Sequence, residues 1–428
     1  MKKILFLAIL IFQGVVMGAV LDSVEIKGVK VPLIYEKSDN LPIVSMQIVF
    51  QKSGSIEDGN LPGLARFSAN MLNQGTKDLK NVGFAKELED RAIHFGVNSG
   101  IETLGLSISS LKDEFDYGVN LISKLLQNPN LTNEAFEKVR TNTLGAIFKK
   151  EDDFDYVASV NLKKILFKDT PLQNPSLGTI ESIKKITLDD VKRFLKKHLV
   201  LKRAIVVIGG KIGIKEAKDD TKKILENLGV GKSESLGFFN ASDKKEKIVV
   251  KKDTKQAYIY FGAPLYVKVD DKDLYKAKVA SFILGASGFG SRLMEEIRVK
   301  RGLAYSAYSR NSINKSHSYF TGYLQTKLES QDEAIKIVKK VIKDFVKNGV
   351  TKEELESAKK FLLGSEPLRN ETLSQRLSRA FNEYYKGKPL GYSKKELELI
   401  EKLSLKDLNS FIKEHPEITK LSFSIVTK

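Results

Sequence analysis

Two residues in the second half of the chain, Arg298 and Tyr305, carry side chains that could bind an anionic or carbonyl oxygen. A guanidinium can bind a carbonyl or carboxylate, and a phenol can donate a hydrogen bond to a negatively charged oxygen. Neither role needs a metal held by the same segment. A purely structural alternative is open: Arg298 would end a helix, Gly302 would break it, and Tyr305 would pack in a strand.

A second segment, Gly63–Thr76, places Arg66, Ala69 and Asn70 on one helix face, because residues three or four apart lie on the same side of a helix. Arg66 keeps its proton at any usable pH and has no lone pair to offer a metal. A zinc ion is therefore not expected on this face.

The same segment resembles the zinc-site helix of peptidase family M16, the insulinase and mitochondrial-processing-peptidase family, in its two-domain type. The motif of that helix is His-x-x-Glu-His, in which two imidazoles grip zinc and the carboxylate polarises its water. Residue by residue, Arg66 stands at the first histidine, Ala69 at the catalytic glutamate and Asn70 at the second histidine. The resemblance thus implies a degenerate zinc motif.

The family's third ligand is a glutamate in a later helix, which by resemblance is Phe136–Ile147. Gly145 and Ala146 occupy its carboxylate positions. We expect no metal and no cofactor in this chain, and zinc in a partner subunit. The histidines have no metal-like spacing and are interpreted as surface or structural residues: His94, His198, His317 and His415.

The segment Ser291–Ser306 closely resembles the family's Arg/Tyr segment, and Arg298 and Tyr305 match its two functional positions. In the family this pair faces the partner's zinc across a bound peptide. The resemblance implies a heterodimer with a zinc-motif homologue, inactive alone, that hydrolyses unfolded peptides bound as an added strand at a sheet edge. Two alternatives are an inert scaffold or peptide-holding protein, and a peptidase with an unrecognised site.

A glycine-rich stretch precedes the Arg/Tyr segment, with Gly285, Gly288 and Gly290. It lacks the lysine of a phosphate-binding loop and the spacing of a dinucleotide-binding turn. We interpret it as a flexible turn that lines the substrate path.

The elements that must position these residues occur twice along the chain. Strands, helices and Thr-capped helix starts between residues 24 and about 230 recur from about 247 to the end, and Gly83-Phe84 and Gly288-Phe289 are interpreted as equivalent turns before a helix. The sequence therefore predicts an α+β protein of two homologous α/β domains, each a mostly antiparallel sheet flanked by helices. The expected bounds are a signal peptide at 1–19, domains at 20–230 and 247–428, and a linker at 231–246.

Composition narrows the class of protein. The N-terminus has the layout of a secretory signal, with Lys2 and Lys3, a short apolar run and the small residues Gly18 and Ala19. Export to the periplasm is therefore expected, with no membrane span in the mature form.

The chain has no cysteine, which excludes disulfides and a thiol nucleophile. Its charge of +18, or +16 without those two lysines, is spread along helices among glutamates, and no nucleic-acid partner is expected.

Overall fold

A computed structural model describes residues 18–428 of the protein. The predicted signal peptide lies outside these residues except for its last two positions. No helix in the described part of the chain is long and apolar enough to cross a membrane.

Twelve strands and fifteen α-helices follow one another in the described chain. The strands are β1 Val20–Ile26, β2 Val29–Lys37, β3 Ile43–Gln51, β4 His94–Ser99, β5 Thr103–Leu111, β6 Ala204–Gly210, β7 Phe239–Asn240, β8 Lys247–Lys251, β9 Gln256–Pro264, β10 Ala304–Ile313, β11 His317–Lys327 and β12 Ser422–Thr427. The helices of the first half are α1 Leu64–Leu72, α2 Lys80–Glu89, α3 Lys112–Gln127, α4 Asn133–Lys150, α5 Phe154–Leu166, α6 Ile180–Lys185, α7 Leu188–His198 and α8 Ile214–Leu225. Those of the second half are α9 Leu274–Ser281, α10 Arg292–Met294, α11 Gln331–Asn348, α12 Lys352–Gly364, α13 Leu373–Tyr385, α14 Tyr392–Glu401 and α15 Leu405–Glu414.

The predicted repeat is confirmed by the order of strands in the two sheets. The first sheet runs β1-β2-β6-β3-β5-β4, and the second, read from its far edge, runs β8-β12-β9-β11-β10. The parallel pairs β2–β6 and β12–β8 correspond, and the other neighbours in both orders are antiparallel. The α+β class and the mostly antiparallel sheets are thus as expected, and each sheet covers its own apolar core. Residues 231–246 contain the short strand β7, which pairs with β11, and remain our proposed linker.

Local chemistry accounts for most helix starts. The Thr132 hydroxyl accepts from the backbone N–H of Ala135 at the start of α4, and Thr351 forms a capping box with Glu354 at the start of α12. The equivalence of the two Gly-Phe pairs was wrong. Gly83 and Phe84 lie inside α2, which has already begun at Lys80. Gly288 and Phe289 instead precede α10.

One helix from each half packs on the sheet of the other half. Helix α5 packs on β9 and β12, and α13 packs on β2 and β6, in each case on the sheet face opposite that sheet's own core. Glycines make room for this: a Cβ at Gly262 would lie 2.7 Å from Leu166, and one at Gly209 would lie 3.1 Å from Leu377. The two halves are therefore joined through crossed helices.

Polar contacts reinforce this exchange. The Arg376 Nε of α13 donates to the Glu36 carboxylate of β2 at 2.6 Å, and Glu36 is only 3% exposed. Glu102, in the turn between β4 and β5, accepts hydrogen bonds from Ser316 and from the Tyr385 hydroxyl at 2.7 and 2.8 Å. These bonds hold the β4–β5 turn against the second half.

Candidate functional site

The Arg/Tyr segment begins with a well-anchored helical turn. The Ser291 hydroxyl accepts from the N–H of Met294, and α10 continues into a π-helical turn at Glu295–Val299. Arg292 forms a two-pronged ion pair with Glu354 of α12, with Nε–Oε1 and Nη2–Oε2 distances of 2.5 and 2.6 Å. The backbone that carries Arg298 is thereby fixed to its neighbouring helix.

Arg298 lies between two aromatic rings. Its guanidinium carbon is 4.3 Å from the centre of the Tyr305 ring and 4.6 Å from the centre of the Phe289 ring. Such stacking holds the guanidinium plane while its N–H groups stay available at the rim. Among the described residues, Lys300 and Arg301 both pair with Glu296, whereas Arg298 has no acidic partner.

Tyr305 does not pack as the structural alternative required. It lies in β10, but its side chain is 81% exposed. The pairing with β11 shifts between Ala304 and Ala307, so that Tyr305 and Ser306 together face one residue of β11. A bulge of this kind redirects a side chain away from the regular alternation of a strand. Gly302, at φ +62°, ends the preceding helical turn as that alternative expected.

The glycines before this segment lie in two different environments. Gly285 lies in the π-helical turn Phe282–Ala286, where a Cβ would collide with Ser309 of β10 at 2.1 Å. Gly288 and Gly290 have φ angles of +71° and +86° and surround Phe289 in the connecting turn. Only the last two therefore form the turn that we place beside the substrate path.

The residues assigned to the degenerate motif lie on α1, whose start is held by a buried carboxylate. Both oxygens of Asp58 accept backbone N–H groups at 2.7 Å, from Gly63 and Ala65 at the start of the helix. Burial nevertheless raises the pKa of Asp58 to about 7. Farther along, Phe67 packs on Phe136 of α4 with ring centres 5.1 Å apart.

The three motif positions on α1 differ in environment. Arg66 is exposed, Ala69 is 1% exposed and Asn70 is half-buried. The Arg66 charge is close enough to Tyr156 of α5 to act on that hydroxyl, although burial is the larger effect and raises the pKa of Tyr156. This face therefore presents a cation to its surroundings at a position that the resemblance assigns to the degenerate zinc motif.

The residue that caps the C-terminus of α1, Asn73, binds the edge of the first sheet. The Asn73 carboxamide donates to the Val97 carbonyl and accepts from the Val97 N–H, both at 2.9 Å. Val97 lies in β4, the edge strand. One residue of this edge is thus already paired by a side chain.

The remaining candidate ligand positions offer no carboxylate or paired imidazoles. Gly145 and Ala146 are exposed on α4. His94 is exposed, and His415 pairs with Glu417. The other two histidines are buried and hydrogen-bond to protein groups. His198 uses Nδ1 to contact the Lys52 carbonyl, and His317 uses Nδ1 to contact the Ser316 hydroxyl. Within residues 18–428, one cluster of three carboxylates lies close enough together to share a metal ion. It lies between α3 and α8 and consists of Asp116, Glu216 and Asp220.

Comparisons with known proteins show the family to which the chain belongs. The family profile described as "Insulinase (Peptidase family M16)" matches residues 33–180, and that described as "Peptidase M16 inactive domain" matches residues 185–362. The "Non-peptidase homolog YmxG" of Helicobacter pylori is 46% identical over all 428 residues, which cover 99% of that protein. The chain belongs to peptidase family M16.

Solved structures have the same M16 fold. A "peptidase M16 inactive domain" from Pseudomonas fluorescens matches with a TM-score of 0.86 at 23% identity, over 95% of this chain and 97% of that one. A structure described as a protease from Helicobacter pylori matches with a TM-score of 0.83 at 19% identity, over 96% and 100% of the two chains. Together with the name of the Helicobacter relative, the inactive-domain profile is consistent with an M16 homologue that is not itself a peptidase.

One site residue was missed by sequence reasoning. The sequence predicted Phe289 only as part of a glycine-rich turn. A large apolar side chain between two glycines is nevertheless an unusual feature of such a turn. In this chain the Phe289 ring stacks on Arg298 and is 67% exposed. An aromatic residue flanked by glycines, just before the Arg/Tyr segment, was the available signal.

Proposed function

We propose that this chain is the non-zinc-binding subunit of an exported, periplasmic M16-type metallopeptidase. It pairs with a zinc-motif homologue, and Arg298 and Tyr305 act in trans on a peptide held against the partner's zinc. The observation that supports this most strongly is the Arg298 guanidinium stacked between Phe289 and Tyr305, with both rings largely exposed. Arg298 itself is partly buried, and a cation held between two rings without an acidic partner among the described residues suits a role in binding a ligand.

The two donors divide the chemistry between them. The planar guanidinium offers several N–H groups to a peptide carbonyl or carboxylate, and its two ring contacts keep it oriented. The Tyr305 hydroxyl donates to the oxyanion that develops when zinc hydroxide attacks the carbonyl. The zinc and its activated water come from the partner, so Arg66, Ala69 and Asn70 need supply neither.

The peptide binds in an extended conformation in this proposal. Strand β10 carries Tyr305 and lies at the edge of the second sheet, where an added strand finds unpaired backbone groups. The corresponding edge strand of the first sheet, β4, has Val97 already bonded to Asn73. This difference favours β10 as the edge that receives peptide in this subunit.

The first test is zinc content and peptidase activity of the purified mature chain, alone and mixed with the zinc-motif homologue from the same source. We expect no zinc and no turnover alone, and turnover in the mixture. Stoichiometric zinc with activity in the isolated chain would contradict the proposal.

The second test separates catalysis from scaffolding. Arg298→Gln and Tyr305→Phe should lower turnover of the mixture by about 10²-fold, as loss of an oxyanion donor does, while assembly measured by size-exclusion chromatography is unchanged. Matched controls are Arg193→Gln, in a surface ion pair, and Tyr266→Phe, at a tyrosine that is 53% exposed. Unchanged turnover in both site variants identifies an inert scaffold instead.

A further inference from the structure

A cleft beside the proposed site contains two positive charges that lack an anion. Lys163 of α5 and Arg310 of β10 both line a cavity of about 480 Å³ between that helix and the second sheet. None of the ion pairs in the described part of the chain includes either residue. Arg310 is exposed to solvent, whereas Lys163 is partly buried, and the neighbouring Arg310 charge disfavours the charged form of Lys163.

Lys163 is the more costly of the two. Its side chain is partly buried, and burial together with the Arg310 charge lowers the pKa of its ammonium group. Asp155, on the same helix, interacts with the Tyr260 hydroxyl of the cleft wall, and burial raises the pKa of its carboxyl. The one charge that shifts the pKa of Lys163 is that of Arg310, and among the described residues Lys163 forms no ion pair with an acid.

The walls of the cleft carry hydrogen-bond donors. Tyr260, Tyr308, Tyr323 and Thr321 line it. The Tyr260 and Tyr323 rings stack with centres 5.5 Å apart, and Tyr308 lies 6.0 Å from Tyr323. A stacked aromatic wall with hydroxyls and two cations is suited to a small anionic group joined to a chain with some apolar surface.

The location of the cleft indicates which anion. Arg310 lies five residues beyond Tyr305 in β10, about 17 Å along an extended strand. A peptide paired with the free edge of β10 at Tyr305 and continuing along the strand reaches Arg310, which lines the cleft. Its own carboxylates are the anions that this path brings to Lys163 and Arg310.

We propose that the Lys163–Arg310 cleft binds a carboxylate of the peptide, either an acidic side chain or the C-terminal carboxylate, and so makes this subunit select anionic segments. This inference rests on the proposed function for the direction of the peptide path. It does not rest on turnover, because binding to the isolated chain is sufficient to test it.

The experiment is calorimetric titration of the isolated mature chain with three acetylated octapeptides of otherwise equal sequence. One has no acid and an amidated C-terminus, one has a single internal Glu and an amidated C-terminus, and one has no acid and a free C-terminus. We expect at least one carboxylate peptide to bind about tenfold or more tightly than the uncharged peptide, since hydrogen bonds to charged groups contribute that much. The peptide that gains affinity identifies the source of the carboxylate.

Lys163→Met and Arg310→Gln should each abolish this preference, and Lys406→Met, at an exposed lysine on α15, should retain it. Lys163→Met should also raise the melting temperature, because it removes a partly buried, uncompensated charge and keeps an unbranched apolar side chain. A variant that is folded and stabilised yet has lost the preference supports the inference.

Three results overturn it: equal affinity for the three peptides, a preference that survives both variants, or binding of inorganic phosphate at the cleft that no peptide displaces. Failure here leaves the proposed function standing if Arg298→Gln still lowers turnover of the mixture. Conversely, a carboxylate preference in a chain that never supports turnover retains the cleft and removes the catalytic role.

Discussion

The Arg298 guanidinium carbon lies 4.3 Å from the centre of the Tyr305 ring, although the two residues belong to different kinds of structure. Arg298 is on a helical turn, and Tyr305 is in the bulge of an edge strand. The chain reverses between them at Gly302, whose φ of +62° is costly for other residues. This contact converts two separate donors into one binding surface.

Phe289 should tune this surface without being essential. Phe289→Leu removes one of the two rings that hold Arg298, and a cation–π contact at an exposed site contributes about 0.5–1 kcal/mol. We expect a two- to fivefold loss of turnover in the mixture with the zinc-motif homologue, smaller than the loss for Tyr305→Phe. Steady-state kinetics of both variants measure the difference. Equal losses would mean that Phe289 contacts the peptide directly.

The buried ion pair between the two halves should be important for stability. Glu36 is 3% exposed, and Arg376→Ala removes the cation that pairs with its carboxylate, a loss that costs about 3 kcal/mol. We expect a lower urea midpoint for this variant and partial recovery in Glu36→Gln/Arg376→Ala. Arg193→Ala, in a surface pair, is the control and should change the free energy of unfolding by no more than about 0.5 kcal/mol. An equal midpoint for Arg376→Ala and wild type would contradict the buried-charge argument.

Asp220 should destabilise the fold above neutral pH. It is 8% exposed, and burial, with the charges of Asp116 and Glu216, raises its pKa to about 6, while Lys112 pairs with Glu216. The folded state holds this proton more tightly than the unfolded state, so stability falls as pH rises from about 4 to about 6 and stays low above that. Asp220→Asn should therefore be the more stable protein at pH 8. Urea denaturation at pH 8 and pH 4.5 measures its advantage, which should shrink at the lower pH.

The buried histidines should act in the opposite direction. Burial lowers the pKa of both His198 and His317 to about 4, with the Arg203 charge adding to the shift of His198. The unfolded chain then binds more protons between pH 6.5 and 4, so the stability that they contribute is present above pH 6.5 and is lost on acidification. NMR titration of histidine-labelled protein should show two imidazoles that remain neutral at pH 5.5. Two resonances that titrate near pH 6.5 would contradict their burial.

The sequence was sufficient for the repeated order of elements, because alternating apolar residues, Thr caps and apolar helix faces are local signals. It also predicted that Arg66, Ala69 and Asn70 share one helix, which is α1, while their assignment to the zinc-motif positions stays a prediction. The paired Gly-Phe dipeptides show the limit of this approach, because the same two residues occur inside α2 and before α10. A dipeptide does not specify a register without its neighbours.

Tertiary structure decided which helix packs on which sheet, because no local sequence pattern indicates this. The exchange of α5 and α13 between the sheets depends on contacts such as Gly262 with Leu166 and Gly209 with Leu377, which join residues far apart in the chain. The meeting of Lys163 with Arg310 follows from that exchange, since α5 brings the lysine of one half to a strand of the other. Periodicity shows which face of an element is buried, and packing alone decides which element covers it.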